Sequence, residues 1–190
     1  VTKPDKVVYG HSFAIYALSE YALASGDKTA LHYAERIFDL LQKHAADTCY
    51  GGYFEMFDRK WQLAGPGSAG GDRKTLDAHM HLMEAFTRLY ECSGRELHQR
   101  KLKEIISLIK DHILHPDYAT GIPQFSADWR QLEQIKFDIV WGWDRFNPEG
   151  LKGEPLDNTS YGHNMEFCWL LCHALDILGE PLGEYREILE

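Results

Sequence analysis

Basic residues are in short supply: 20 Lys and Arg stand against 29 Asp and Glu, for a formal charge of -9 and a pI near 5.5. A phosphate-tracking surface needs the opposite balance, and no Lys/Arg cluster interleaved with aromatics restores it locally, so no nucleic acid partner is expected. Long apolar runs are also missing. None approaches the roughly 20 residues of a membrane span, and the start VTKPDK lacks a signal-peptide core, so no membrane partner is expected and cytoplasm is the default address. The chain does not begin with Met, as expected of an excised or processed segment. Cysteine is sparse. Cys49, Cys92, Cys168 and Cys172 lack CxxC spacing and fall mostly in helical patterns, which predicts buried free thiols and no metal set. No glycine-rich phosphate loop, GxSxG elbow or HExxH pair is present, so neither a cofactor nor a metal is expected.

What the chain has is helical periodicity. At 190 residues and 44% hydrophobic it can bury a real core. Apolar residues recur at helical spacing over about 8 to 25, 28 to 46, 75 to 93, 95 to 114 and 162 to 178, with a sixth helix expected to start near 182. The first, third and fifth align as GHSFAIYALSEYALASG, AHMHLMEAFTRLYECSG and GHNMEFCWLLCHALDILG. Each opens with a small residue and a histidine (His11, His79, His163) and closes on a glycine suited to a left-handed cap (Gly26, Gly94, Gly179). These helices are apolar around most of their circumference. The intervening pair carries one apolar stripe and one charged face, so inner and outer helices alternate. The expected fold is all-α, a single domain over 1–190 built as an α/α toroid, with short β-hairpins in its long loops, 47 to 74 and 115 to 161.

Both loops deliver the chain to the start of an inner helix, which puts the three histidine starts on one face. In HMH, His79 and His81 point roughly 200° apart and cannot share a site. Asp77 and His81, at i and i+4, do share a face, with Glu84 one turn further. An inner helix should have little solvated face, so His81 is a candidate functional residue. His163 and Glu166, at i and i+3, form a second candidate pair, a carboxylate able to orient an imidazole. Helix capping by Thr159, Ser160 or Asn164 accounts for the polar start, though not for a histidine. His11 has a plain neighbourhood and reads as structural. His32, His44, His98, His112 and His115 read as surface or packing residues, and His173 as a satisfied core histidine.

The second loop concentrates Phe125, Trp129, Phe137, Trp141, Trp143 and Phe146 with Asp128, Asp138, Asp144 and Arg145 among them. If FDIVWGWDRF is a strand, Trp141 and Trp143 face one side. Indole faces beside Asp and Arg suit a saccharide's apolar face and hydroxyl rim. The candidate substrate contacts are Asp77, Trp141, Trp143 and Asp144. Histidines that titrate near neutrality suit proton abstraction beside a carbonyl.

DAHMHLMEAFTRLY and YGHNMEFCWLL resemble two signature helices of the N-acylglucosamine 2-epimerase and cellobiose 2-epimerase superfamily, written Asn-x-x-x-His and Gly-His-x-x-Glu. The second match is close; the first departs at Asp77, where the family usually has Asn. The resemblance covers most of the chain and implies an (α/α)6 barrel of twelve helices, of which about half is here. Carried over, it makes His163 a general acid/base at sugar C2 with Glu166 supporting it, and His81 an aid to ring opening or a ligand for a substrate oxygen. The implied reaction passes through an enediol(ate) with no cofactor. A family arginine upstream and a further histidine downstream have no counterpart in these residues. The fragment is therefore expected to be inactive alone, and to expose apolar surface where the missing barrel half, or a second copy, would pack.

Three other readings fit the same residues. Aldose-ketose isomerisation shares the enediol. A glycoside or unsaturated-uronide hydrolase would use Asp77, Asp128, Asp144 or Glu166 as its acids. A non-catalytic carbohydrate-binding helical scaffold would use the aromatic loop alone.

Overall fold

A computed structural model of the chain describes residues 5–66, 70–117, 120–132 and 161–186. Five α-helices dominate it: α1 (Val8–Ser25), α2 (Lys28–His44), α3 (Leu76–Ser93), α4 (Glu96–Leu108) and α5 (Tyr161–Leu178). α1 packs on α3 and α3 on α5, while α2 spans α1 and α3 and α4 spans α3 and α5. That is an arc of alternating inner and outer helices, as the apolar patterning predicted. α3 sits at its centre, buried along nearly every residue from Leu76 to Leu89.

The helix ends follow local chemistry. The Asp27 side chain accepts the Thr29 N–H at 2.7 Å to start α2, and Thr75 Oγ1 accepts the Ala78 N–H at 3.2 Å to start α3. Gly26 and Gly94 close α1 and α3 in the left-handed conformation. Ala30, Ala34, Phe38 and Leu41 form the buried stripe of α2, and Phe38 meets Phe86 of α3 edge to face at 5.0 Å. The fourth helix departs from expectation. Its last turn, Ile109–Ile113, is a π-helix, with i→i+5 bonds that a 3.6-residue period cannot reveal. Within the described residues, the sixth helical segment is a single 3-10 turn, Gly183–Tyr185.

Among the described residues four short strands tie loops to inner-helix starts. β1 (Lys6–Val7) pairs antiparallel with β2 (Met56–Phe57), and β3 (Arg73–Thr75) with β4 (Gln124–Ser126). Past β2 and β4 the chain makes the same hairpin turn twice. Asp58 and Ser126 donate their N–H groups to Gln62 and Arg130 carbonyls at 2.9 Å; Trp61 and Trp129 donate theirs back to Asp58 and Ser126. Both tryptophans sit at φ 65°. A bulky residue there costs on the order of 1–2 kcal/mol, which its contacts must offset.

Those contacts explain the repeated histidines. Trp61 lies 5.0 Å from His44, nearly parallel, and 5.2 Å from His11; Trp129 lies 5.1 Å from His112, nearly parallel, and 5.1 Å from His79. The spacing is constant at 68 positions: 11 to 79, 26 to 94, 44 to 112 and 61 to 129. Inner helix, outer helix and hairpin thus form one repeating unit, locked by an indole between two imidazoles. His112 stacks on its indole from within the π-turn, whereas His44 makes the equivalent contact from the last residue of an ordinary α-helix.

Lys74 fastens the second unit. Its side chain is fully buried, and the ammonium donates to Asp47 Oδ2 at 2.8 Å, the Gly51 carbonyl at 2.6 Å and the Ala127 carbonyl at 2.7 Å, using all three N–H bonds. The Trp129 ring lies 4.7 Å away. Burial works to raise the Asp47 carboxyl, but hydrogen bonds from Lys74 and from the Cys49 and Tyr50 N–H groups outweigh it and hold its pKa down. Gly52, at φ +74°, completes this corner: a Cβ there would lie 2.6 Å from the Trp129 ring and 2.7 Å from His79 Nε2.

Two expectations are corrected. None of the four cysteines is in a disulfide, but none is buried: Cys49 and Cys172 are exposed and Cys92 and Cys168 half-buried. Helical spacing put them on helices or in a loop; it did not say which side faces outward. His173 is not a satisfied core residue. It is half-buried against Trp169, and its enclosed Nε2 has no hydrogen-bond partner. The segment FDIVWGWDRF, with Trp141, Trp143 and Asp144, lies outside the described residues.

Replacing Lys74 with Ala would strand a mostly buried carboxylate and two carbonyls. Urea unfolding should show a loss of about 3–5 kcal/mol; a loss no larger than that of an exposed lysine would remove the clamp from this account.

Candidate functional site

The first turns of α1, α3 and α5 open at the same end of the arc. Asp77 and His81 share a face of α3, and His163 Nδ1 comes within 3.5 Å of Asp77 Oδ1 across the gap to α5. His81 Nδ1 lies 3.0 Å from Glu84 Oε2 on its own helix, so the N–H donates to the carboxylate and the lone pair is left on Nε2. Its ring is held by Tyr9 edge-on at 5.0 Å and Phe13 at 4.8 Å, both from α1. His81 is 4% exposed, so this is an enclosed wall. Asp77 and His163 are half-buried.

The spacing argument for HMH agrees with the geometry. His79 turns away: Nδ1 donates to the Thr75 carbonyl at 2.7 Å and Nε2 accepts the Tyr53 N–H at 3.0 Å. Both nitrogens are used in the neutral form, and burial first of all pushes its pKa down to about 4. His11 repeats the anchor, with Nδ1 2.7 Å from the Val7 carbonyl. Each of these two repeat histidines therefore grips its own helix start and its hairpin tryptophan, while His81, one residue pair further on, faces the site.

Glu166 is exposed on α5. The carboxylate found beside His163 is Asp77, three-dimensionally adjacent but 86 positions away in sequence (163 against 77). Asn164 reaches outside its own helix: its Oδ1 accepts the Gly121 N–H at 3.0 Å, fixing α5 to the second loop. A Cβ at Gly121 would crowd both sides of this contact, meeting the Leu76 side chain of α3 at 2.5 Å and Asn164 Oδ1 at 3.3 Å. Asp128 is held in its hairpin by Ser126 at 2.6 Å and Arg130 at 2.8 Å.

Tyr9 was not foreseen. It is half-buried, and burial, then the charges of Asp77, Glu166 and Glu84, raise its phenol above the ordinary value. The phenol therefore stays protonated and able to donate near neutrality. Its sequence signal was a shared tripeptide: YGH occurs at the starts of both the first and the fifth helix, so Tyr9 and Tyr161 stand two residues before His11 and His163, and Asp77 holds the same place before His79. Among the described residues no group of three or more His, Cys, Asp and Glu is arranged to hold a metal ion, and no helix is long and apolar enough to cross a membrane.

Alternating inner and outer helices with the loops and polar starts at one end define an α/α toroid. The chain belongs to the N-acylglucosamine 2-epimerase (GlcNAc 2-epimerase) family, whose pattern it matches over residues 1–182. It is 36% identical over 179 residues to a cellobiose 2-epimerase of Ruminococcus albus and 32% identical to one of Bacteroides fragilis, in each case over 92% of this chain and 40% of the relative. It thus spans about 40% of the length of these relatives. In structure it is similar to cellobiose 2-epimerase from Bacillus thermoamylovorans B4167, with a TM-score of 0.80 at 24% identity, covering 98% of this chain and 43% of that one. At that identity the likeness speaks for the architecture.

The low pKa of His79 links it to stability. The unfolded chain takes up a proton as pH falls through about 6.5, and the native chain resists until about 4. Its contribution is whole above pH 6.5 and is lost as pH falls to 4, by up to about 3 kcal/mol. Urea unfolding at stepped pH should show a steeper fall between pH 6.5 and 4 in the parent chain than in His79→Gln, where, of the histidines lowered by burial, only His98 and His173 remain to contribute.

Proposed function

We propose that this chain is part of a carbohydrate 2-epimerase that inverts C2 of an aldose unit, an N-acylglucosamine or the reducing end of a disaccharide, through an enediol(ate). Family membership and the cellobiose 2-epimerase relatives support the substrate class. The observation that carries the chemistry is that two imidazoles on different inner helices each have a carboxylate at Nδ1: His81 with Glu84 at 3.0 Å and His163 with Asp77 at 3.5 Å.

A carboxylate at Nδ1 holds an imidazole in the tautomer that offers Nε2 as a base. His163 removes or returns the C2 proton, with Asp77 behind it and Glu166 at the rim. His81 assists ring opening at the substrate oxygen. Tyr9, kept protonated by its surroundings, donates to an oxygen that gains charge in the enediolate. Asp77 also stands where it can accept from a sugar hydroxyl. A second base is supplied from outside these residues, as the resemblance implies. Consistent with further helices packing here, Tyr161, Met165 and Trp169 leave an apolar stripe on α5 that is 86, 73 and 58% exposed.

In the full gene product incubated with cellobiose or N-acetylglucosamine in D2O, NMR should show deuterium entering C2 and the C2 epimer accumulating. His163→Ala and His81→Ala should each lower kcat/KM by about 10²–10⁴. A ketose product would replace epimerisation by isomerisation. Glycoside cleavage that survives His163→Ala and fails in Asp128→Asn would replace both by hydrolysis.

A further inference from the structure

An ion pair in the C-terminal halves of α1 and α3 has no part in the chemistry above. Arg88 of α3 reaches across to Glu20 of α1, Nε to Oε1 at 2.5 Å, and along its own helix to Glu91, Nη1 to Oε2 at 2.7 Å. The contact with Glu20 is ionic, without hydrogen-bond alignment, and both of its atoms are closed off from solvent. Glu91 fixes the direction in which the guanidinium points. Burial by itself would lower the Arg88 pKa; the two carboxylates outweigh it and raise it. The cation is therefore permanent.

The pair is in step with the site. Phe13 meets His81 at 4.8 Å, and Glu20 and Arg88 each lie seven residues further along their own helices (20 against 13, 88 against 81). That is two turns, or about 10.5 Å. Both contacts join positions 68 apart (81 against 13, 88 against 20), the period of the repeat, so each joins equivalent residues of two parallel inner helices at one level. A slip of one turn would carry Phe13 away from His81 and Glu20 away from Arg88 together. Apolar packing selects that level weakly. The buried stripe of α1 is Val8, Ser12, Ile15, Ser19 and Ala22, small over most of its length, and Ser12 Oγ donates to the Tyr9 carbonyl of its own helix at 2.6 Å. Shallow ridges leave neighbouring registers close in energy. A charge pair closed off from water penalises every register that separates it, which is the best-attested use of such a pair.

We propose that Glu20 and Arg88 are positioning residues of the site: their ion pair pins α1 to α3 in the one register that sets Tyr9 and Phe13 against His81. The assignment of Tyr9 and His81 to catalysis rests on the proposed function; the pin itself does not.

Two measurements separate the two claims. In the chain with labelled aromatic and imidazole rings, nuclear Overhauser effects should join Phe13 to His81 and, as a control in the second unit, His79 to Trp129. Arg88→Met and Glu20→Gln keep side-chain length and remove the charge pair; each should abolish the first effect and keep the second. A Phe13–His81 effect that survives in either variant overturns the proposal. Loss of both effects together marks a contact needed for folding, not for register, and overturns it too. In the full gene product, each variant should lower kcat by about 10–100-fold with KM within about twofold, as expected when a reacting group is misplaced by a distant change. The double variant should fall no further than the worse single one, because the two residues act as one unit. Additive losses, or kcat at the parent level, overturn the role in the site. If no epimerase activity is found at all while the two ring contacts respond as stated, the functional reading fails and the pin stands.

Discussion

The Lys74 ammonium is the contact on which the second half of the arc depends. It is closed off from water and would be untenable without three acceptors, and those come from two separate loops, Asp47 and Gly51 from the first and Ala127 from the second. Two long loops are thereby fixed to the strand that immediately precedes α3. Long loops lose much entropy on ordering, and a single point that satisfies all of them is an economical way to hold them. Gly52 and Trp129 close over the same spot, so the start of α3 is set before any site residue is considered.

The repeating unit works by the same logic with aromatic rings. Trp61 and Trp129 occupy a strained backbone conformation because each is held between the histidine that ends an outer helix and the histidine that starts an inner one. The repeat histidines are then architectural in the first two units. His81 owes its place to pitch: two residues beyond His79 on a helix is nearly the opposite face, so anchoring one imidazole inward turns the other toward Tyr9 and Phe13. The inner helices thus carry scaffold and candidate chemistry on opposite sides of the same turn.

Some of this was legible as pattern. Helix positions, their inner and outer alternation, the capping glycines, the pairing of Asp77 with His81 along one face and the divergence of HMH all follow from a 3.6-residue period. The π-turn after α4 escaped, because widening one turn leaves the apolar spacing nearly intact. So did Tyr9, whose phenol is raised by burial first and then by carboxylates on two other helices. The orientation of the cysteines escaped for a related reason: on an all-round apolar helix, periodicity does not choose the outward face.

The sequence by itself determined the elements, their order, the family and a short list of polar residues at inner-helix starts, since these depend on neighbours within one or two turns. Tertiary structure alone decided which carboxylate stands beside which imidazole. Helical spacing offered Glu166 to His163, whereas packing of α5 against α3 brought Asp77 to within 3.5 Å and left Glu166 exposed. It also decided that Lys74, an unremarkable lysine in the string, is buried at the junction of both loops. The physical reason is one of range. Capping and periodicity act through adjacent backbone, while these pairings join residues tens of positions apart, brought together by the helix packing that folding creates.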